Sequence, residues 1–350
     1  MPSKGSFLNM KNDIQVAKAL VVDFYHHLES ASQEEVPDVM QRYIGKNYLW
    51  RGYHPFHEQT SVAQVAALFW QPLRQSLKHL QRRQDIFMAG YNEIDDFSSV
   101  WVVSMGHLMG LFDEPWLGIK PTGKMAMLRY CEFNKVENGK ITETAMYFDI
   151  PHLMVQAGLQ PFPLQSAAQL VQPGPMTHTG LMFGEQVVTE GEKTLAAINH
   201  MINALGNWEQ PLSLQDELRL SWHEDMIWWG PTGIGAAYTI ERYAQQHAGP
   251  FRAGFKDRIF NGHVCRLAEG EFGGFFGWPN LTLESTGGFM GMPATGKRGE
   301  MRIIDIYRRK ADKLAENWIF IDLLHFWNQQ GVDVLSRTTG ISNNDLLGDS

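Results

Sequence analysis

One stretch of this chain occurs twice, and that duplication constrains the fold more than any other feature. Residues 118–158 align with residues 291–331 without a gap, at an offset of 173, and 11 of the 41 aligned positions are identical. A repeat of this length predicts two copies of one domain rather than a solenoid of short stacked units. The 350 residues suffice for two domains of ordinary size, each with its own hydrophobic core.

The composition narrows the class of protein and of partner. Hydrophobic residues make up 44% and charged residues 19%, which is typical of a globular protein. The formal charge of −8 and the lack of a basic run argue against a nucleic-acid partner. Cys131 and Cys265 suggest neither a disulfide framework nor a metal cluster, and we expect no metal and no other cofactor. Without a signal-peptide pattern or a run of 18 apolar residues, we expect a cytoplasmic protein with no membrane partner.

The order of sequence patterns is the same in both halves. Helical spacing of apolar residues begins at Asp13, strand-like runs follow, and a hairpin and a short helix close each copy. Residues 159–188 contain four prolines and show no periodicity, which indicates a linker. We therefore expect a first domain at 11–158, the linker at 159–188, a second domain at 189–335 and a polar tail at 336–350. Helices followed by a curved sheet predict an α+β fold.

The hairpin in the first copy can be placed in register. Asn138 and Gly139 form the strongest short-range signal for a two-residue turn. Counting back from this turn without interruption places Tyr130 opposite Tyr147 and Leu128 opposite Asp149, all on one face. The same count in the second copy places Asp322 on one face with Phe320. We therefore expect both aspartates to point into the concave side of their sheets.

The opposite face of each hairpin is also apolar, so something must cover it. A linker of about 30 residues keeps the two copies at high effective concentration, which favours pairing within the chain. We expect an intrachain pseudo-dimer, sheet to sheet, with Arg129 and Arg302 near the seam. Further homo-oligomerisation is left open.

The repeated motif resembles a known family. It reads Gly-x-x-x-Thr-Gly-Lys, an Arg five positions on, Gly-Lys-Ile-x-Glu, then Asp and a short amphipathic turn ending in Gln-x-Gly. This resembles the SnoaL-like polyketide cyclases, which belong to the nuclear transport factor 2-like fold, and the resemblance is closer in the first copy. It implies two tandem cone-shaped domains. It also implies a cofactor-free cyclase or isomerase that acts on a hydrophobic, polyketide-like carbonyl compound.

The resemblance places the catalytic carboxylate of the family at Asp149 and Asp322. Burial would raise the carboxyl pKa toward the working pH, as a general acid/base requires. The alternative is that each Asp is an N-cap of the helix that follows it. His107 lies in a strand similar to one that carries a histidine in the family, whereas Ser285 takes its place in the second copy, so the first site is expected to be the more competent. A hydrogen-bonded core position is the alternative for His107.

Large aromatic residues would supply the walls of a pocket for a planar ligand. The candidate substrate-binding residues are Trp50, Tyr53, His54, Tyr130, Tyr147, Trp228, Trp229, Trp318 and Phe320. Ordinary core packing explains each of them equally well when taken singly. A non-catalytic binding protein for an apolar small molecule and a purely structural module are the alternatives to an enzyme.

Overall fold

A computed structural model describes residues 4–163, 165–206 and 212–343 of the chain. The helices are α1 Lys4–Ser30, α2 Val36–Tyr43, α3 Val62–Val65, α4 Gln71–Ser76, α5 Ile150–Gln156, α6 Val188–Gly206, α7 Leu214–Arg219, α8 Ile240–Tyr243, α9 Gly249–Gly254, α10 Leu323–Gln329 and α11 Val334–Asn343. The strands are β1 Ile44–Gly52, β2 His57–Gln59, β3 Leu77–Tyr91, β4 Val100–Phe112, β5 Met125–Glu137, β6 Lys140–Phe148, β7 Trp222–Trp229, β8 Ala236–Tyr238, β9 Phe255–Phe260, β10 Cys265–Glu269, β11 Phe272–Ser285, β12 Arg298–Lys310 and β13 Lys313–Ile321.

The strands form two mixed sheets, one in each half of the chain. The first has the order β2-β1-β6-β5-β4-β3, and the second has the order β10-β11-β12-β13-β7-β8, with β9 paired to β11. In both sheets the early strand of the half runs parallel to the last strand, as β1 does to β6 and β7 to β13. The α+β class with two tandem units is therefore confirmed. Among the described residues, no helix is long and apolar enough to cross a membrane.

The same irregular helix recurs in each half. A π-helical turn, Ala66–Trp70 in the first half and Ala244–Ala248 in the second, joins two short α-helices, and a proline stands in the first turn of the second helix. The helix is continuous through each π turn, with helical φ/ψ at Trp70 and Ala248, and the π turn accommodates the proline, which has no N–H to donate to the preceding turn. These turns give a second structural alignment of the halves, in which Phe69 matches His247 and Trp70 matches Ala248.

Both ends of the described chain are more helical than the sequence predicted. The helix α1 starts at Lys4, whereas the first domain was expected to begin at residue 11. No Gly or Pro between residues 6 and 30 interrupts this helix. The helix α11 extends into the predicted polar tail. It begins after Asp333, whose carboxylate accepts the Ser336 N–H at 2.9 Å. Residues 344–350 lie outside the described part.

The predicted turn at Asn138 and Gly139 is present, with φ of 52° and 70°, but the predicted register is wrong by one residue. Val136 pairs with Ile141, and the next pair is Lys135 with Glu143. This β-bulge inserts one extra residue into β6, and it moves every later side chain to the opposite face. The second hairpin has its bulge at the equivalent place, between Arg308 and Arg309.

The convex faces of the two sheets pack on each other and form a seam between the halves. Phe133 contacts Phe276 with ring centroids 5.2 Å apart, and the Tyr147 hydroxyl donates to the Gly277 carbonyl at 3.2 Å. Arg129 donates to the carbonyls of Ile319 at 3.0 Å and Trp229 at 3.2 Å, so it reaches across the seam as predicted. The uninterrupted register would place Met146 and Phe148 at this seam. Because of the bulge, they face the interior of the first half.

The linker packs against both halves of the chain. Ala168 forms a β-bridge with Ala236, and Leu181 forms one with Phe87. The Pro173 carbonyl accepts the indole N–H of Trp318 at 3.1 Å. The linker therefore covers sheet surface that would otherwise face solvent.

Candidate functional site

The concave side of the second sheet encloses a cavity of about 160 Å³. Its lining is mostly aromatic and aliphatic, and its polar members include Asp305, Tyr307 and Asn317 on adjacent strands. The strand β12 directs Ile303, Asp305 and Tyr307 inward, and the bulge in β13 places Ile321, Ile319 and Asn317 opposite them. The cavity thus has one carboxyl group in a largely apolar wall.

The Asp305 carboxyl is 7% exposed and is held by two polar neighbours. The Asn317 side-chain amide donates to Asp305 Oδ1 at 2.7 Å, and it also donates to the Ile306 carbonyl at 3.0 Å, which fixes its orientation. The Tyr307 hydroxyl bonds with the same carboxyl. Burial raises the pKa of Asp305 to about 7, and these hydrogen bonds and the distant Arg129 only partly oppose that rise. This carboxyl can therefore exchange a proton near neutral pH.

A flat wall lies on the helical side of the same cavity. The rings of Trp228 and His247 stack with centroids 4.0 Å apart and planes at 19°. Burial lowers the pKa of His247 to about 3, so the imidazole is neutral and adds no charge to the wall. Tyr243 completes this side, between the two rings and the carboxyl. A planar apolar compound fits against such a surface.

The concave side of the first sheet is filled instead. Glu132, at the position equivalent to Asp305, accepts hydrogen bonds from Arg82 and Tyr25, each at 2.8 Å. The Arg82 guanidinium lies 3.7 Å from the centroid of the Tyr25 ring and 4.7 Å from that of Tyr130. The space left beside these groups is about 10 Å³. The expectation that the first copy holds the more competent site is therefore at odds with its packed interior.

The predicted catalytic aspartates face the seam, not the cone interiors. Asp149 Oδ1 accepts the His152 N–H at 3.1 Å and Oδ2 accepts the Thr232 N–H of the second half at 2.9 Å. Asp322 makes the reciprocal arrangement, with the N–H of His325 at 3.1 Å and that of His54 in the first half at 3.0 Å. The predicted inward orientation is wrong because the bulges move these positions to the other face, and the capping geometry of the alternative is the one observed.

His107 also lies on the convex face of its sheet, in register with Arg129. Its Nδ1 is 3.5 Å from Asp85 Oδ2, and its Nε2 is buried without a hydrogen-bond partner. The small space beside Asp149, lined by Arg129, His152 and linker residues, has essentially no free volume. A catalytic role of Asp149, Asp322 or His107 therefore stays a prediction from the resemblance, without an open pocket beside Asp149 in this structure.

The predicted aromatic walls are divided among three environments. Trp228 alone among them lines the second cavity, while Tyr130 and Trp50 are packed in the first interior. Three others lie on the seam side of their strands because of the register shift: Tyr147, Trp318 and Phe320. Tyr53 contacts Tyr147, Trp229 offers its carbonyl to Arg129, and His54 lies beside His57 and His325.

Asp305 was not among the functional residues predicted from the sequence. The available signal was an acidic residue within a run of isoleucines, Ile303, Ile304 and Ile306, in a strand predicted to be covered on both faces. A buried carboxylate in such a strand needs either a partner or a function. The uninterrupted register placed Asp305 opposite Trp318, whereas its observed partner is Ile319.

A second groove, of about 190 Å³, lies where the two halves meet near α1 and α6. Three glutamates line it: Glu185 and Glu192 are exposed, and Glu269 is buried. Glu269 Oε1 accepts from Lys18 at 2.5 Å while its Oε2 accepts the Ala89 N–H at 2.8 Å, so both oxygens of the buried carboxylate are engaged by fixed donors. The groove therefore offers apolar surface but no buried carboxylate free to act as a base, and the Asp305 cavity is the better candidate site.

Comparison with known proteins agrees with the resemblance seen in the motif. Residues 280–330 match the family model of SnoaL-like polyketide cyclase. This segment spans most of the second copy of the repeat, whereas the motif of the first copy resembles the family more closely. No curated protein matches the chain.

Several solved structures are similar to about two-fifths of the chain. A putative SnoaL-like polyketide cyclase from Jannaschia sp. CCS1 is 17% identical, with a TM-score of 0.31 over 39% of this chain and 90% of its own. IdmH, a putative polyketide cyclase from Streptomyces antibioticus, is 18% identical, with a TM-score of 0.31 over 40% of this chain and 99% of its own. An NTF2-like protein from Burkholderia xenovorans LB400 is 14% identical, with a TM-score of 0.32 over 40% and 97%.

Proposed function

We propose that the second half is a cofactor-independent acid/base catalyst for a small apolar carbonyl compound, acting as an isomerase or an aldol cyclase. The observation that carries this proposal is the Asp305 carboxyl, buried in the wall of an otherwise apolar cavity and poised to exchange a proton near pH 7. A general base works best when its pKa lies near the working pH. The match of residues 280–330 to the cyclase family supports the same class of reaction.

The chemical step needs only the substrate and this carboxyl. The Asp305 carboxylate removes a proton from a carbon next to the substrate carbonyl, and the C–H electron pair becomes the enolate. In an isomerisation, the protonated Asp305 returns that proton to another carbon of the same conjugated system. In an aldol cyclisation, the enolate carbon attacks a second carbonyl, the C–C bond closes the ring, and Asp305 protonates the resulting alkoxide. Asn317 and Tyr307 hold the carboxyl in place throughout.

The cavity volume limits the size of the compound. An engineered cavity of about 150 Å³ in another protein binds benzene, so about 160 Å³ accommodates a compound of roughly one ring. The Trp228–His247 wall favours a planar ring over a branched chain. This argues for a monocyclic carbonyl compound rather than a polycyclic one.

The proposal can be tested with a simple probe before the natural substrate is known. We expect the full chain to catalyse exchange of the α-hydrogens of cyclohexanone in deuterated water, followed by NMR, because these hydrogens exchange slowly at neutral pH without a catalyst. We expect Asp305→Asn to reduce the rate at least about 100-fold, the lower range for loss of a general base. Asp225→Asn, on the exposed part of β7, is the matched control. An unchanged exchange rate in Asp305→Asn would reject the acid/base role. Loss of exchange only in Asp149→Asn would instead support the site predicted from the resemblance.

The alternative, a non-catalytic binding protein, has its own signature in the same experiment. If the wild-type chain shifts the NMR signals of the probe without exchanging its hydrogens, the cavity binds but does not catalyse. Asp305→Asn would then leave the bound fraction unchanged or raise it, because the variant removes an ionisable group from an apolar wall.

A further inference from the structure

Three histidines from both halves of the chain meet at one end of the seam. His54 stands in the tight loop between β1 and β2, His57 is the first residue of β2, and His325 stands in the first turn of α10. One ring nitrogen of each lies within 4.8 Å of those of the other two. The rings of His54 and His57 are 5.1 Å apart, and those of His57 and His325 are 5.4 Å apart. The sequence separation of 271 residues between His54 and His325 hid this cluster from any spacing rule.

Two of these three histidines have a buried ring nitrogen without a hydrogen-bond partner among the described residues. His54 is 8% exposed and its Nδ1 is unpaired, as is the Nε2 of His325. Buried polar groups are nearly always paired, so two unpaired imidazole nitrogens in one cluster indicate a missing ligand. Asp322 fixes both residues, since its two oxygens accept the backbone N–H groups of His325 and His54.

The equivalent end of the seam shows that the fold does not need this cluster. There Asp149 accepts from His152 and from Thr232, which takes the place of His54, and the loop of residues 230–235 contains no histidine. The Asp149 end of the seam thus has one histidine beside its cap, whereas the Asp322 end has three. The caps use only backbone N–H groups, so they explain none of the imidazole side chains, and the grouping of three histidines at one end is left without a structural role.

We propose that His54, His57 and His325 bind one divalent transition-metal ion of the type represented by Zn²⁺, across the seam of the two halves. This site is independent of the reaction proposed for Asp305. Neutral imidazoles are preferred ligands of Zn²⁺, and three protein ligands leave a fourth position for water. In a tetrahedral site with Zn–N distances of about 2.0–2.1 Å, ligand nitrogens are about 3.3 Å apart, so the rings must close in modestly on binding.

Arg302 regulates access to the third ligand. Its Nη1 donates to His57 Nδ1 at 3.1 Å, and the guanidinium lies 3.7 Å from the centroid of the Trp278 ring. A metal that uses this nitrogen must displace the arginine. Asp322 Oδ2 is 3.9 Å from the same Nη1, which gives the guanidinium a carboxylate to move toward without leaving the site. The charge of Arg302 is then partly neutralised by Asp322 when the cation enters.

The test is a titration of the tag-free, chelator-treated full chain with Zn²⁺ alone, with a competing dye to report free metal. We expect one Zn²⁺ per chain, and we expect His54→Gln and His325→Gln each to weaken binding more than about 100-fold, beyond the 10–100-fold that outer contacts of a metal site contribute. His152→Gln at the other end of the seam is the matched control and should bind as the wild type does. Circular dichroism establishes that each variant is folded.

A second measurement guards against a variant that folds poorly. Zn²⁺ should raise the Tm of the wild-type chain and of His152→Gln, but not that of His57→Gln, because only a bound ion stabilises the folded state. Equal zinc affinity in the wild type, His54→Gln and His325→Gln would overturn the proposal. So would a wild-type chain that binds no zinc at micromolar concentration.

Discussion

The two cone interiors occupy equivalent places in the fold and are built in opposite ways. In the first half, Glu132 is neutralised by Arg82 and enclosed by aromatic rings. In the second half, Asp305 has only Asn317 and Tyr307, and open space remains beside it. Three substitutions explain the space, since the second half has a smaller residue at each position: Tyr130 becomes Ile303, Phe148 becomes Ile321 and Trp70 becomes Ala248. A duplicated frame can therefore hold one packed core and one pocket without any change of topology.

The largest effect is expected where the first interior loses its negative charge. Glu132→Gln should lower the free energy of unfolding by about 3–5 kcal/mol, because it leaves the buried Arg82 guanidinium without a counter-charge. The midpoint of urea unfolding, followed by near-ultraviolet circular dichroism, measures the change. Glu114→Gln, at an exposed position, is the control and should unfold as the wild type does. A loss below about 1 kcal/mol would mean that Arg82 finds another partner.

The matching change in the second interior should act in the opposite direction. The pKa of Asp305 is about 7 in the folded chain, above its ordinary value of 3.8, so the folded state binds this proton more tightly than the unfolded state. Its contribution to stability is fully present below about pH 4 and is lost as the pH rises through about 7. At pH 8 we expect Asp305→Asn to be more stable than the wild type by up to about 4 kcal/mol, at about 1.4 kcal/mol per pH unit.

The pH dependence separates this cause from any other. Urea unfolding of both chains at a series of pH values should show the difference between them shrinking toward zero as the pH falls from about 7 to about 4. A difference that does not change with pH would contradict a buried, titrating carboxyl at position 305.

The smallest change in stability is expected when the second cavity is filled with a residue of the first interior. Ile321→Phe installs the equivalent of Phe148, which stacks on Phe69 at 4.6 Å in the first half. Because the ring enters existing space, the unfolding free energy should change by less than about 1.5 kcal/mol, while catalysed hydrogen exchange of the ketone probe is lost. Ile259→Phe, at an exposed position of β9, is the control. Unchanged exchange in Ile321→Phe would place the reaction outside this cavity.

Much of the fold follows from local sequence signals. The repeat predicts two units, the pair Asn138–Gly139 predicts its turn, and the apolar faces predict the internal seam. The β-bulges were not predictable in the same way, because no Gly marks them at Lys135 or Arg308 and the extra residue is accommodated by pairing across the sheet. That one-residue shift is enough to move Asp149 and Asp322 to the seam, while Asp305 stays on the inward face.

The histidine cluster and the difference between the interiors depend on longer distances. His54 and His325 are brought together by packing of the halves, which sequence spacing does not encode. The first interior is closed by Arg82, a residue of an exposed-looking strand whose partner Glu132 is 50 positions away. Such pairs are recognisable only once the register of neighbouring strands is known.

The reciprocal caps have a consequence for how this chain can vary. The helix that follows the last strand of each half, α5 or α10, begins on an aspartate whose second oxygen accepts an N–H from a loop of the other half, Thr232 for Asp149 and His54 for Asp322. Replacing one half by an unrelated domain, or lengthening that loop, would remove a hydrogen bond that caps a helix of the other half. The two halves therefore depend on each other. A change in one of these loops is tolerated only if the helix of the other half keeps its capping hydrogen bond.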